Sequence, residues 1–313
     1  MSAPVFRDPV YDGATDPTLI RHHETGEWWM FYTQRRTTDE GPRHRWVHGT
    51  QIGIAVSTDR GSTWTYRGIA EGLEQGNTLW APEVVRTSQD YRMFLTVVDG
   101  VPADWSDATA GIVEYCSSDL LHWQRARAID LGSSRVIDAA VAVCPDGLWR
   151  LWYKDERDAS STRVATSADL QSWTVDGRAV PAPPPHEGPN VFRLGGWWWL
   201  IADEWRGLAV HRSPDAVHWS RQARDGGLIL NRPGAHLDDR EVGHHADAVP
   251  LTDSYAVLFY FTHPNRSRAG DERLRRASAI HVAGLTVHDG ELVADRDISP
   301  TAPLTPPSWE ESR

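Results

Sequence analysis

Four times along this chain a short polar box closes on a tryptophan. The boxes hold Ser57, Asp59 and Trp64; Ser117, Asp119 and Trp123; Ser167, Asp169 and Trp173; and Ser213, Asp215 and Trp219. They recur roughly every 45 to 60 residues, a period that belongs to propellers and solenoids. Each follows a β-type segment such as 53–56 or 208–211. The Asp can bond the backbone of a tight turn, and the Trp beyond it can return to pack between sheets. One box carries little information, whereas four in one chain point to a repeated four-stranded unit.

The rest of the unit repeats as well. Aromatic-rich segments at 28–32, 91–95, 148–153 and 197–201 precede the boxes, and a fifth at 255–261 has no box after it. Ahead of each lies a turn with Gly or Asp (25–26, 89–90, 146–147, 195–196, 253–254), the mark of a hairpin. Before each turn stands a short apolar segment opened by an acid: Asp16, Glu83, Asp138, Glu187 and Asp247. Each unit thus reads as strand A, hairpin, strand B, loop, strand C, box turn, strand D. Five units over residues 1–298 predict an all-β, five-bladed β-propeller with four antiparallel strands per blade in a single domain. Blade five is expected at 247–251, 256–262, 278–285 and 291–295.

Propellers divide their core between blades, so 313 residues fit one domain, and no stretch sustains helical periodicity. The formal charge of −11 argues against nucleic acid and anionic membranes as partners. The first residues lack a basic region followed by an apolar run, and the expected location is the cytoplasm. Cys116 and Cys144 show no metal-type spacing and are expected as buried free thiols within strands. The Pro-rich tail, 299–313, is expected to be an extended arm or disordered.

Propeller topology constrains the chemistry. Strand A is innermost, and every strand A starts at the same face as the B–C loops, with the box turns on the opposite face. The five acids are therefore expected to ring the mouth of the central channel. Such a ring is costly unless its charges are hydrated, paired, metal-bound or proton-sharing, which is the physical reason to suspect a site there. For any single acid the alternative is a turn at the start of a strand.

The segments 15–18, 79–84, 136–141, 186–191 and 243–247 resemble, in order, the five inner-strand motifs of glycoside hydrolase family 43. The resemblance covers nearly the whole chain, with Trp80-Ala81-Pro82-Glu83 and Glu187-Gly188-Pro189 its most specific parts. It implies an inverting glycosidase, with arabinofuranosides, xylosides or other furanosides as substrates, and the expected cytoplasmic location favours an exo-acting enzyme on small oligosaccharides over one on polymers. It further implies Asp16 as general base, Glu187 as general acid and Asp138 as the acid that orients the site and raises its partner's pKa. Ala139 and Ala246-Asp247 depart from the family pattern. Inversion needs two carboxyl groups ~6.5–9.5 Å apart with water between them. No cofactor is required.

In the family a His at the position of His244 and His245 holds a water or a cation, making a structural Ca²⁺ or other channel cation an expectation; a hydrogen-bonded structural His is the alternative. Trp46, Trp80 and Trp205 are expected to stack on sugar, while the triple Trp197 to Trp199 suits packing. Glu83, Arg206 and His245 are further expected substrate contacts, and Lys154 suits hydroxyls or a carboxylate. The loop 263–276 is strongly basic in an acidic chain and suits a pocket cover, an acidic substrate, an oligomer contact or plain solvation. Competing functions are a carbohydrate-binding propeller without chemistry, a glycoside phosphorylase, and a sialidase, which would need six blades.

Overall fold

A computed structural model of the protein describes residues 4–41, 44–106, 108–267, 270–297 and 304–305. Five antiparallel sheets follow one another along the chain, each with its first strand innermost. Blade 1 comprises β1 (Ala14–Arg21), β2 (Trp28–Gln34), β3 (Gln51–Ser57) and β4 (Thr65–Ile69). Blade 2 comprises β5 (Thr78–Arg86), β6 (Tyr91–Val98), β7 (Ala110–Ser117) and β8 (Gln124–Ile129). Blade 3 comprises β9 (Val136–Val143), β10 (Trp149–Asp155), β11 (Ser161–Ser167) and β12 (Thr174–Val180). In blade 4, β13 (Glu187–Leu194), β14 (Trp197–Asp203) and β15 (Leu208–Ser213) are regular. The outer edge is broken into β16 (Ser220–Arg221) and β17 (Leu228–Ile229), both paired with β15. Blade 5 comprises β18 (His244–Pro250), β19 (Tyr255–Thr262), β20 (Ala279–His288) and β21 (Glu291–Asp295), and one helical turn, α1 (Glu272–Arg276), lies in its B–C loop. This is the expected five-bladed propeller, and the sixth blade that a sialidase needs is not among the described residues.

The hydrophobic core is distributed between blades. One cluster joins blades 1 and 2 through Phe31, Ile54, Leu95 and Tyr115, and others fill the remaining interfaces round the ring. The boxes build these interfaces. In each, the Ser hydroxyl bonds the Asp, whose carboxylate accepts backbone N–H groups at Thr63, His122, Ser172 and His218. The residue after each Asp takes a positive φ (Arg60, Leu120, Leu170, Ala216), which turns the chain so that the Trp faces the previous blade. There it meets a strand-B aromatic edge to face: Trp64 on Phe259, Trp123 on Phe31, Trp173 on Phe94, Trp219 on Trp152. Blade 5 has no box. A tight Asp289-Gly290 turn with positive φ at both residues joins β20 to β21 instead, and β14, which no box Trp reaches, carries Leu200 and Ile201 at mid-strand.

The ring closes with the N-terminal segment. Val5 N donates to Ile280 O at 2.8 Å and Ser278 N to Asp12 O at 2.9 Å, laying this segment along β20 while Phe6 is buried between blades 5 and 1. Of the expected tail, only Leu304 and Thr305 are described. Leu304 is buried on blade 1, its carbonyl accepting from Trp28 Nε1 at 3.1 Å.

Candidate active site

Every inner strand is irregular where it begins. The ladders to strand B slip between Thr15 and Thr18, Trp80 and Glu83, Ile137 and Ala140, Glu187 and Asn190, and His244 and Ala246. In blades 1 to 4 a residue inside this bulge takes a positive φ: Asp16, Ala81, Asp138 and Gly188. Bulges re-aim side chains and leave backbone groups unpaired, which suits a site at a strand end. The freed N–H groups find acceptors on strand B of the previous blade. Ala81 N donates to Thr33 Oγ1 (2.8 Å), Asp138 N to Thr96 Oγ1 (2.9 Å) and His245 N to Asp203 Oδ2 (3.3 Å). On β10 the corresponding residue is Lys154, which cannot accept; Gly188 N donates instead to Asp138 Oδ2 at 3.0 Å. Gly188 is needed twice over, since its φ is +56° and a Cβ there would sit 2.6 Å from the His245 ring.

These strand ends open into a cavity of about 780 Å³, within the usual size of small-molecule sites. Asp16, Asp138, Glu187, His245 and Lys154 line its floor, and all five B–C loops contribute to its wall. Arg35, His44, Trp46 and His48 come from blade 1, Trp105 from blade 2, Glu156 and Ser160 from blade 3 and Trp205 from blade 4. Blade 5 adds His263, Arg266, Glu272, Arg275 and Arg276. No box residue lines the cavity, as the topology requires. Trp80 is fixed by its indole N–H on Val47 O (2.7 Å) and packs beside Trp105 and His48, with ring centroids 5.1 and 5.2 Å away.

The three acids differ in electrostatics. Burial works to raise the pKa of Asp16, but Arg35 Nη2 at 3.5 Å, His245 at 3.5 Å and the Thr33 and Thr15 hydroxyls stabilise the carboxylate and hold it below its ordinary value. Burial pushes Asp138 up to about 6, with the Glu187 and Asp16 charges adding and His245 and Lys154 opposing. Burial would raise Glu187 too, but Lys154 Nζ lies 2.9 Å from Oε2 and Trp205 Nε1 donates to Oε1 at 2.8 Å, and the result is a lowered pKa. The expectation that Asp138 raises Glu187 is thereby reversed. The two do repel, but the ammonium sits on Glu187, so Asp138 takes the raised pKa.

The ring of five acids also divides into two tiers. Glu83 and Asp247 stand deeper in the channel, outside the cavity lining, because each follows its bulge rather than occupying it. Glu83 Oε1 accepts from Val141 N (2.9 Å) and Oε2 from Thr18 Oγ1 (3.3 Å); Asp247 accepts from Leu19 N (2.7 Å) and Asn190 Nδ2 (2.8 Å). Glu83 is therefore an inter-blade tie, not a substrate contact. Arg206 is also misplaced by the sequence reading: it lies outside the lining and bonds Glu204 at 2.6 Å. Trp46, Trp80, Trp205 and His245 do line the cavity.

His244 is buried on Phe261 and bonds Asp203 Oδ2 through Nδ1 at 2.9 Å, the structural alternative. Among the described residues no three His, Cys, Asp or Glu side chains converge as a metal's ligand set, and the Glu83 and Asp247 oxygens already accept hydrogen bonds. These residues do not fit a direct-ligand cage for Ca²⁺, which takes six or more oxygens. Asp203, the acceptor for His244 and for the N–H groups of Trp205 and His245, escaped sequence reasoning. Its one signal is an acid at the end of a strand B.

No protein-family profile matches the chain, and no curated protein does. Solved structures match over nearly its whole length. A thermostable family-43 glycoside hydrolase superposes with a TM-score of 0.69 at 17% identity, covering 94% of this chain and 98% of its own. A family-43 β-xylosidase/α-arabinofuranosidase from a compost metagenome, solved with xylotriose, gives 0.65 at 16%, covering 96% and 98%. The Bombyx mori family-32 β-fructofuranosidase gives 0.69 at 12%, covering 94% of this chain and 65% of its own. The fold is that of the family-43 propellers.

Proposed function

We propose that the protein is a glycoside hydrolase that cleaves small oligosaccharides with inversion. The observation that carries this reading is the trio Asp16, Asp138 and Glu187, set by bulged strand starts on the floor of one aromatic-walled cavity, with Asp16 held as the carboxylate. A sugar seated against the tryptophans would present its anomeric carbon between the carboxyl groups. Asp16 accepts a proton from water as the water oxygen bonds that carbon, while Glu187, in its acid form, delivers a proton to the departing glycosidic oxygen. Asp138 holds the Gly188 N–H and so fixes the turn that aims Glu187. Arabinofuranosides, xylosides and other furanosides are the first substrates to test, since a neighbour with this fold is described as a xylosidase and arabinofuranosidase.

The Lys154–Glu187 ion pair supports a second reading, a carbohydrate-binding propeller whose acid stays ionised. A panel of aryl pyranosides and furanosides, assayed from acid to neutral pH, separates the two. Turnover that falls roughly 10²–10⁴-fold in Asp16→Asn and Glu187→Gln, with only Glu187→Gln recovering on an activated leaving group, is the expected result. Sugar binding without turnover at any pH would leave the binding reading.

A further inference from the structure

The cavity carries positive charge that its own acids do not use. Asp16 faces Arg35 and His245, Glu187 and Glu156 share Lys154, and Glu272 bonds Arg276 at 2.7 Å. Asp138 is the remaining lining acid, and it accepts the Gly188 N–H. Against these, Arg266 and Arg275 line the same cavity, are solvent-exposed, and make no ion pair among the described residues. Arg275 feels the Glu272 carboxylate only at longer range, that group being taken by Arg276. Both come from the blade-5 loop, in a chain of net charge −11. The loop is braced for this: the Arg276 guanidinium sits 5.5 Å from the Trp46 ring centroid and donates to Asp39 O, joining the blade-5 loop to that of blade 1.

We infer that the sugar taken by this cavity carries an anionic substituent, a carboxylate or a sulfate ester, bound by Arg266 and Arg275; this rests on the reading of the cavity as a saccharide site. A guanidinium presents paired N–H donors that match either group, and two guanidiniums that no lining acid pairs with make the blade-5 side of the cavity locally positive, although the lining as a whole holds as many carboxylates as cations.

The test is binding, read by quenching of intrinsic tryptophan fluorescence, with glucuronate against glucose, galacturonate against galactose, and galactose 6-sulfate as a third arm. At least one anionic sugar should bind about tenfold or more tighter than its neutral partner, with a preference that shrinks as salt rises. A gain for the uronates alone marks a carboxylate, and for the sulfate alone a sulfate ester. In Arg266→Gln/Arg275→Gln the anionic-to-neutral affinity ratio should collapse towards one, whereas Arg206→Gln, outside the cavity, should keep it. No preference in any arm, absence of binding included, or a preference that survives the double variant, overturns the inference. Turnover is not read here. A protein that prefers anionic sugars but hydrolyses nothing keeps this inference and loses the hydrolytic reading, and one that hydrolyses neutral glycosides without such a preference does the reverse.

Discussion

Lys154 stands on β10 where β2 and β6 carry Thr33 and Thr96, and this one exchange puts an ammonium against the carboxylate of Glu187. A threonine there accepts the N–H of the next blade's bulge; an ammonium reaches Glu187 instead and stabilises its charge. The consequence for catalysis has a definite sign. Glu187 must be protonated to act as the acid, its pKa is lowered, and so kcat/KM should fall as pH rises through that lowered value. Lys154→Met removes the ammonium while keeping the bulk of a buried side chain, which lets Glu187 hold its proton to higher pH. The alkaline limb should therefore move up, with the acidic limb, set by Asp16, moving much less. Profiles of kcat/KM against pH for the two proteins check this, and an unmoved alkaline limb would show that Lys154 does not tune the acid.

At the scale of the element, the box turn and the inner-strand bulge are the two repeated devices, one for stability and one for function. The box was legible because its parts are local: a Ser and an Asp that bond a turn within a few residues, then a Trp. Trp123 is the box tryptophan held deepest, 2% exposed against Phe31, with its indole N–H on Leu120 O. Trp123→Ala should cost about 3–5 kcal/mol from lost burial and the cavity left behind. Trp64→Ala, at a partly exposed box, should cost less. Urea unfolding midpoints of the two variants test the order, and equal losses would mean that the box tryptophans do not act through inter-blade burial. The bulges were not legible. Thr15-Asp16-Pro17 and Pro82-Glu83 both read as an acid beside a proline, yet Asp16 occupies its bulge and Glu83 follows one, which separates a cavity acid from a channel acid. Slippage of a ladder by a residue depends on the partner strand, so sequence spacing alone does not reveal it.

Across the whole molecule, the deeper tier of polar groups ties the blades together through the channel. Thr18, Glu83, Val141, Asn190 and Asp247 link the five inner strands with hydrogen bonds from one blade to another. Burial, with the nearby Asp247 charge, pushes Glu83 up to about 8, and burial pushes Asp247 up to about 6. A carboxyl whose folded pKa is raised contributes stability that is complete below its unfolded pKa and lost as pH rises through the folded value. Stability should therefore decline between about pH 4 and 8 through these groups. Glu83→Gln keeps the shape and the Val141 contact without the charge, and should flatten that decline. Because Asp16, Asp138 and Glu187 titrate in both proteins, the difference between their melting temperatures against pH isolates the channel pair. Parallel curves would show that Glu83 carries no such charge.

The sequence by itself determined the number of blades, the order of strands within them and the face on which the site lies, because repeated local turns and alternating strands impose these without long-range detail. It also determined which acids open the inner strands. Only the tertiary structure decided what each acid does. The charge state of Glu187 is governed by Lys154 from the neighbouring blade and Trp205 from its own B–C loop. The depth of Glu83 follows from a slipped ladder, and Arg206 turns to Glu204 rather than to the cavity. Each of these outcomes is a balance of burial against a partner brought near by folding, and such a balance has no signature in the spacing of residues along the chain.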